Sequence, residues 1–333
     1  MWRTVQPSRV FTNDLLQRYR QQGDAPADAV ITAVAEEGGR EGLSALMRWL
    51  GDTKNLNSAD QPPVVQQFLT QFSSLPDWAN PRLMDQGMQY CADHAGAVSL
   101  LLGLYSLPYC YAGADGARVL WLSQRIHQNT QKRLEETGEW VAVVLQKANW
   151  ANGKAVTYSL KIRLLHAAIR WFTLHGGQWD MTWGYPVNQE DMAATNMAFS
   201  YIVIRGLRKT GVTAPADEEA YLHHFNVVGY LLGVAPELLP LNLREAYHLD
   251  RLIAQRQFRP SEQGRGLTKS LLTAIETFLP ATLRNLPAAQ MRFFLGDSLA
   301  DLLGLPAVPL EKRFAGLVSS LPIFPKLIPS APR

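Results

Sequence analysis

Residues 155–174 constrain this chain more than any other segment. They read AVTYSLKIRLLHAAIRWFTL, without Gly or Pro and with a 3.6-residue rhythm. At about 100° per residue, Arg163, His166 and Arg170 fall within roughly 60° of one another, with Ser159 and Thr173 beside them. Most other directions are apolar, through Ile162, Leu164, Leu165, Ala168, Ile169 and Phe172. A helix that is hydrophobic nearly all round belongs in a core. An arginine buried there costs several kcal/mol, on the order of the penalty for any unpaired interior ion, unless an anion meets it. This helix carries no carboxylate, so the anion has to come from elsewhere. One economical answer is a bound ligand with acidic groups, held by the arginines and touched by the imidazole between them. For His166 alone the plainer answer is a satisfied core histidine.

Apolar spacing is helical almost throughout, and no run sustains period-two alternation. The pattern predicts an all-α fold with helices near 11–21, 27–50, 64–75, 80–113, 118–147, 155–175, 189–209, 216–234, 240–256, 267–279 and 286–304. Asn80 before Pro81 and Asn188 before Asp191 are start signals, and Gly211 is a stop. The breaks at 51–63, 149–154 and 175–186 are too short for domain linkers. The expected organisation is an N-terminal helical segment (1–79) packed on a core (80–260), followed by C-terminal helices and a proline-rich tail (261–333).

Composition narrows the function. A net charge of +3 with scattered Lys and Arg is no nucleic-acid footprint. Two cysteines, Cys91 and Cys110, cannot build a disulfide framework or a four-cysteine zinc site. The opening MWRTVQPSRVFTND lacks a basic region followed by an apolar core, which predicts a cytoplasmic protein. Residues 95–114 carry no charge and reach the length of a membrane span. Gly103, Pro108 and three tyrosines dilute them, so the expectation is a central buried helix kinked near Pro108.

Several motifs fail on inspection. GRGLTKS (264–270) lacks the glycine before Lys269 that a phosphate loop needs. Glu245 and His248 have di-iron spacing without a second such pair, which leaves a surface helix pair. Cys91 and His94 are two ligands, too few for a metal site. His127, His223 and His224 are read as packing or solvent residues. Arg133 and Thr137, at i and i+4, share a helix face with Asn129 and Thr130, amid Lys132, Glu135 and Glu136. Spacing alone reads that face as exposed and polar. A neutral imidazole at His166 is, by contrast, a common haem ligand, and haem propionates would supply anions for Arg163 and Arg170.

These residues resemble a known family, the bacterial latex-clearing (rubber oxygenase) proteins and the fungal mycophenolic-acid-pathway oxygenase. Arg133-Leu-Glu-Glu-Thr137 is similar to the family's Arg-x-x-x-Thr, and Arg163-Leu-Leu-His166-Ala-Ala-Ile-Arg170 to its Arg-x-x-His-x-x-x-Arg, at a similar separation. The likeness extends over roughly residues 80–260. It implies an all-helical fold with globin-like features, a b-type haem and oxygen-dependent cleavage of isoprenoid double bonds. His166 would then ligate the iron from the proximal side. Arg163 and Arg170 would orient that helix and the propionates, while Arg133 and Thr137 would shape the haem environment.

Two departures stand out. Glu136 occupies the place where rubber-cleaving members put a lysine, and Asp115 is the only acid at 112–119, where those enzymes use a glutamate. Glu136, with Glu135, becomes the candidate for handling protons. The resulting expectation is a haem b oxygenase acting with O₂ on a small apolar, isoprenoid or unsaturated substrate. Its channel would be lined by 95–114 and the apolar faces of 192–206. The alternative is a non-catalytic haem protein for O₂ sensing, storage or trafficking, and a third reading is haem-dependent isomerisation or hydroxylation.

Overall fold

The computed structural model describes residues 9–123, 125–277 and 279–308, without the side chains of 125–129. His127 and the proline-rich tail lie outside the described residues or side chains. Among the described residues the regular structure is helical: α1 (Asn13–Arg20), α2 (Ala25–Gly51), α3 (Pro63–Gln71), α4 (Pro81–Asp93), α5 (Ala95–Leu101), α6 (Leu107–Tyr111), α7 (Ala114–Leu122), α8 (Arg125–Val144) and α9 (Lys147–Ala151) form the first half. The second half holds α10 (Lys154–His175), α11 (Gln189–Phe199), α12 (Tyr201–Lys209), α13 (Pro215–Leu231), α14 (Leu243–Gln257), α15 (Glu262–Glu276), α16 (Leu286–Leu295) and α17 (Asp297–Leu302). An isolated bridge pairs Gly113 with Phe258.

The helix starts follow side-chain chemistry. Asn80 accepts the Arg82 and Leu83 amides ahead of α4, and Pro81, lacking an N–H, costs nothing in the first turn. Asn188 accepts the Asp191 amide, while Glu190 and Asp191 place negative charge at the positive end of α11. Asn242 accepts the amide of Glu245. The Glu245 carboxylate in turn takes the Arg9 and Leu241 amides, so this residue is a buried cap and not part of a surface pair.

Three stretches expected as single helices, 80–113, 118–147 and 189–209, are broken, and α2 kinks at Gly39. In 80–113, Pro108 cannot donate to the Leu104 carbonyl one turn back. The chain accommodates this by widening into a π turn at Leu102–Ser106, where the Leu107 amide reaches Leu102. This is the kink expected near Pro108. In 189–209 the break falls at Ser200, whose hydroxyl donates back to the Asn196 carbonyl, while the Phe199 carbonyl accepts from the Tyr221 hydroxyl. Both contacts take acceptors that a continuous helix would use.

Two large apolar cores result, with a small third cluster of Met84, Met88 and Val227 between α4 and α13. The larger gathers Val98–Tyr105 with residues from α11, α12 and α13, and the uncharged run is therefore interior protein. No helix among the described residues is long and apolar enough to cross a membrane. The smaller core joins α2 and α3 to Leu160, Leu164, Ala167 and Ala168 of α10. Ala155 and Tyr158 of the same helix belong to the larger core. α10 is the wall between the two, which is why it is apolar nearly all round. A third buried cation on it, Lys161, donates to the Asp52 and Asn55 carbonyls at 2.7 Å each and lies over the Trp49 ring. Burial lowers its pKa to about 8.

α4 crosses α13 closely. A Cβ on Gly87 would stand 2.5 Å from the Ala220 carbonyl oxygen and 2.9 Å from the Tyr221 Cα, both backbone atoms that cannot swing aside. Gly87→Ala should therefore lower unfolding free energy by at least the ~1–3 kcal/mol typical of overpacking, despite alanine's better helix propensity. Urea denaturation of the two proteins checks this.

Candidate active site

The positive stripe on α10 divides into two parts. Arg163 turns to the start of α2, where Asp24, the residue capping that helix, accepts its Nε at 2.6 Å and its Nη2 at 2.9 Å. The Phe68 and Phe72 rings flank the guanidinium at 5.3 and 4.4 Å. Arg170 gives its Nε to Asp28 at 2.6 Å, and its Nη1 meets the Val187 carbonyl at 3.2 Å and the Met192 sulfur at 3.8 Å. Its Nη2 is buried without a hydrogen-bond partner. Burial holds the Asp28 carboxyl above its usual range, against the opposing pull of Arg170. The premise that a ligand must supply the anions for Arg163 and Arg170 is thus corrected: Asp24 and Asp28 supply them. No local pattern signals this, because the partners lie about 140 positions earlier.

Glycine makes room for the upper pair. Gly233 adopts φ +85°, and a Cβ there would sit 2.2 Å from Asp24 Oδ2 and 2.6 Å from Arg163 Nε. Gln189 donates to the carbonyls of Gly23 and Gly233, both at 2.9 Å, and accepts the Ala235 amide at 2.7 Å. The start of α2 is thereby tied to α11 and to the end of α13.

His166 points elsewhere. Ile162, Leu165, His166, Ile169 and Thr173 are partly accessible, whereas the arginine row and the α2-facing row of α10 are buried. Their spacing places all five on one stripe roughly 100° wide, with the imidazole at the edge that adjoins the arginine row. The ring is half-buried, and loss of water dominates its pKa. Burial, then Arg170, then Arg133 push that pKa down to about 3, so the imidazole is neutral at ordinary pH. Its Nδ1 is enclosed without a hydrogen-bond partner. Ser159, also on the predicted stripe, accepts from Trp140 Nε1 at 3.3 Å and sets the register of α8 against α10.

Arg133 reaches this region from α8, within electrostatic range of both His166 and the buried Tyr111 phenol. Thr137 follows one turn later, half-buried on the same face. The structure thus brings Arg133 and His166 together. Glu136 lies on a flank of α8 with its side chain 41% accessible, 3.8 Å from Lys132 and within electrostatic range of Tyr158. Glu135 is exposed and accepts from Gln131.

Asp115 belongs to an ion network that local patterns did not reveal, its Oδ1 facing Arg118 without a hydrogen bond. It meets Arg20 at 3.4 Å, Arg118 at 3.6 Å and Arg259, while Arg20 also reaches Glu190 at 3.3 Å and Asp191 at 3.1 Å. The channel expected along 95–114 and 192–206 is corrected as well. These segments fill the larger core against each other, with Ser106 donating to the Ala198 carbonyl and Leu101 filling the space over Gly206.

The remaining buried histidine is structural. His224 is fully enclosed and stacks edgewise with Trp150 and Phe225. Burial lowers its pKa to about 4, opposed by the Val144 backbone and Asp85, with His223 pushing the same way as burial. His223 accepts the Asn80 amide at 3.0 Å. Because the folded pKa of His224 lies below the unfolded value near 6.5, the unfolded chain binds the extra proton, and stability falls as pH drops from about 6.5 to about 4. Its slope approaches about 1.4 kcal/mol per unit. His224→Phe should remove this share, seen as a shallower loss of urea-unfolding free energy between pH 7 and pH 5.

A family model described as "ER-bound oxygenase mpaB/B'/Rubber oxygenase, catalytic domain" matches residues 93–321. A rubber oxygenase of Streptomyces sp. (strain K30) is 26% identical over 296 residues, covering 87% of this chain and 72% of that protein. The solved structure of a latex clearing protein in the closed state superposes with a TM-score of 0.74 at 25% identity, over 94% of this chain and 85% of the other.

Proposed function

The chain belongs to the mpaB/rubber oxygenase catalytic-domain family and is an oxygenase, and from that premise we propose that it is a haem b-dependent oxygenase of a small apolar substrate. The substrate class we assign is an isoprenoid or other unsaturated chain, with oxidation at its carbon–carbon double bond. One observation carries the reading: a single neutral imidazole, His166, sits between the buried arginine row and a partly accessible, mainly apolar stripe of α10, with its Nδ1 enclosed and unpartnered.

The residues suit such a group. Among the described residues no three His, Cys, Asp or Glu side chains converge to hold a bare metal ion. A lone imidazole therefore fits iron that arrives with its own macrocycle, and its neutrality leaves a nitrogen lone pair for the metal. When bound, haem with an open iron position supplies O₂ binding and activation, and the protein provides orientation and a dry site.

In this reading His166 is the proximal ligand. Arg170, whose Nη2 has no protein partner, offers a donor toward a propionate. Arg163, with both its bonded nitrogens on Asp24, acts by fixing α10. Arg133 contributes positive charge beside the imidazole, and Thr137 a hydroxyl on the same face of α8. Ile162, Leu165 and Ile169 give the apolar surface against which a hydrocarbon chain rests. Glu136 is assigned as the carboxylate that carries protons between solvent and the α8 side of the site, given its partial exposure and its reach to Tyr158.

The visible spectrum of purified protein after haem reconstitution, with a pyridine haemochrome assay, tests the cofactor. Wild type should bind haem b near one equivalent, and His166→Ala should lose the Soret band while keeping its helical circular dichroism. A wild-type protein that stays colourless overturns the proposal. The role of Glu136 is separable. Glu136→Gln should retain haem loading and lower turnover of an unsaturated substrate by about 10²-fold, the lower range for losing an acid–base group, read as O₂ consumption.

A further inference from the structure

We propose that the helix preceding the matched region 93–321 is part of the active site, with Asp24 and Asp28 as positioning residues for His166. The contact of α2 with α10 has two components of different character. Its apolar part, with Leu160, Leu164, Ala167 and Ala168 on the α10 side, is non-directional and tolerates sliding and rotation. Its charged part does not. Asp24 holds Arg163 through two nitrogens, at 2.6 and 2.9 Å, and Asp28 holds Arg170 at 2.6 Å.

The two ion pairs bracket the imidazole. Arg163 stands three residues before His166 and Arg170 four after it. Slipping α10 by one residue would rotate it by about 100° and shift it by about 1.5 Å, carrying both guanidinium groups off their carboxylates. Each buried charge left unpaired would be heavily penalised, far beyond the cost of an apolar slip. The rotation of α10 about its axis, and with it the direction of His166, is therefore set by α2. The carboxylates are themselves anchored. Gln189 ties Gly23 to Gly233 and Ala235, and Gly233 closes over the Asp24–Arg163 pair with no room for a side chain.

The functional consequence rests on His166 ligating haem, but the positioning itself does not, and the experiment separates them. The full-length chain is labelled with ¹⁵N-histidine, and the ring-nitrogen resonances of His166 are recorded without haem for wild type, Asp24→Asn/Asp28→Asn and Asp28→Glu. Haem transfer from the reconstituted proteins to excess apomyoglobin is then timed. The double variant, with wild-type helical circular dichroism, should show shifted or multiple His166 ring resonances and at least about tenfold faster haem loss, the range for partners that orient a metal ligand. Asp28→Glu, which keeps the charge, should restore the wild-type pattern.

A folded double variant with wild-type His166 resonances and wild-type haem loss overturns the inference. If the double variant does not fold, Asp28→Asn alone, which leaves the first ion pair intact, is read by the same criteria. If wild type takes up no haem, the proposed function falls, and the ring resonances alone decide the positioning.

Discussion

Charge burial in α10 organises this molecule. A helix that carries two arginines and a lysine through the interior stays there only if each cation finds oxygen atoms in a dry environment. Carboxylates at the start of α2 serve the arginines, and loop carbonyls beyond its end serve Lys161. One helix thus docks against both ends of another through polar contacts, with an apolar seam between them. Ion pairs of this kind are poor sources of net stability, because desolvation offsets most of the attraction. Their value here is specificity of placement.

That placement leaves the imidazole as the polar group on the open stripe. The arginines flanking His166 in sequence had looked like partners for a ligand, yet their charge is largely answered within the protein. What the accessible flank of α10 presents is a neutral ring, an apolar surface and the positive charge of Arg133 within electrostatic range. Such an environment suits a hydrocarbon substrate and a metal already neutralised by its own ligands. A hydrated ion with no other partners would find little to hold it. The oxygenase assignment and the physical character of the stripe therefore agree, although they come from independent observations.

Much of the fold was legible in the chain. Helical periodicity located nearly every helix, and Asn80, Asn188 and the prolines marked starts because capping is a local event within one turn. The stripe on 155–174 was legible for the same reason, since side chains three and four apart must share a face. The breaks at Ser200 and in the π turn were harder. Ser200 competes for a backbone acceptor only where Tyr221, from another helix, takes the next one. The partners of Arg163 and Arg170 were invisible altogether, as was the network of Arg20, Asp115 and Glu190. Complementary charge over such separations leaves no periodic trace, and an aspartate at a helix start reads equally well as a cap.

The two-sided packing of α10 also bears on where this protein begins as a physical object. Similarity to the catalytic-domain family starts at residue 93, but the small core shared by α2, α3 and α10 does not respect that border. Cutting the chain there would bare an apolar flank of α10 and strand two guanidinium groups beside it. Neither core has a complete wall without that helix, so the cores share one cooperative fate and melt together. The matched domain model is thus shorter than the unit that packing couples, and the likeness to the rubber oxygenase, over 87% of this chain, likewise reaches back before residue 93.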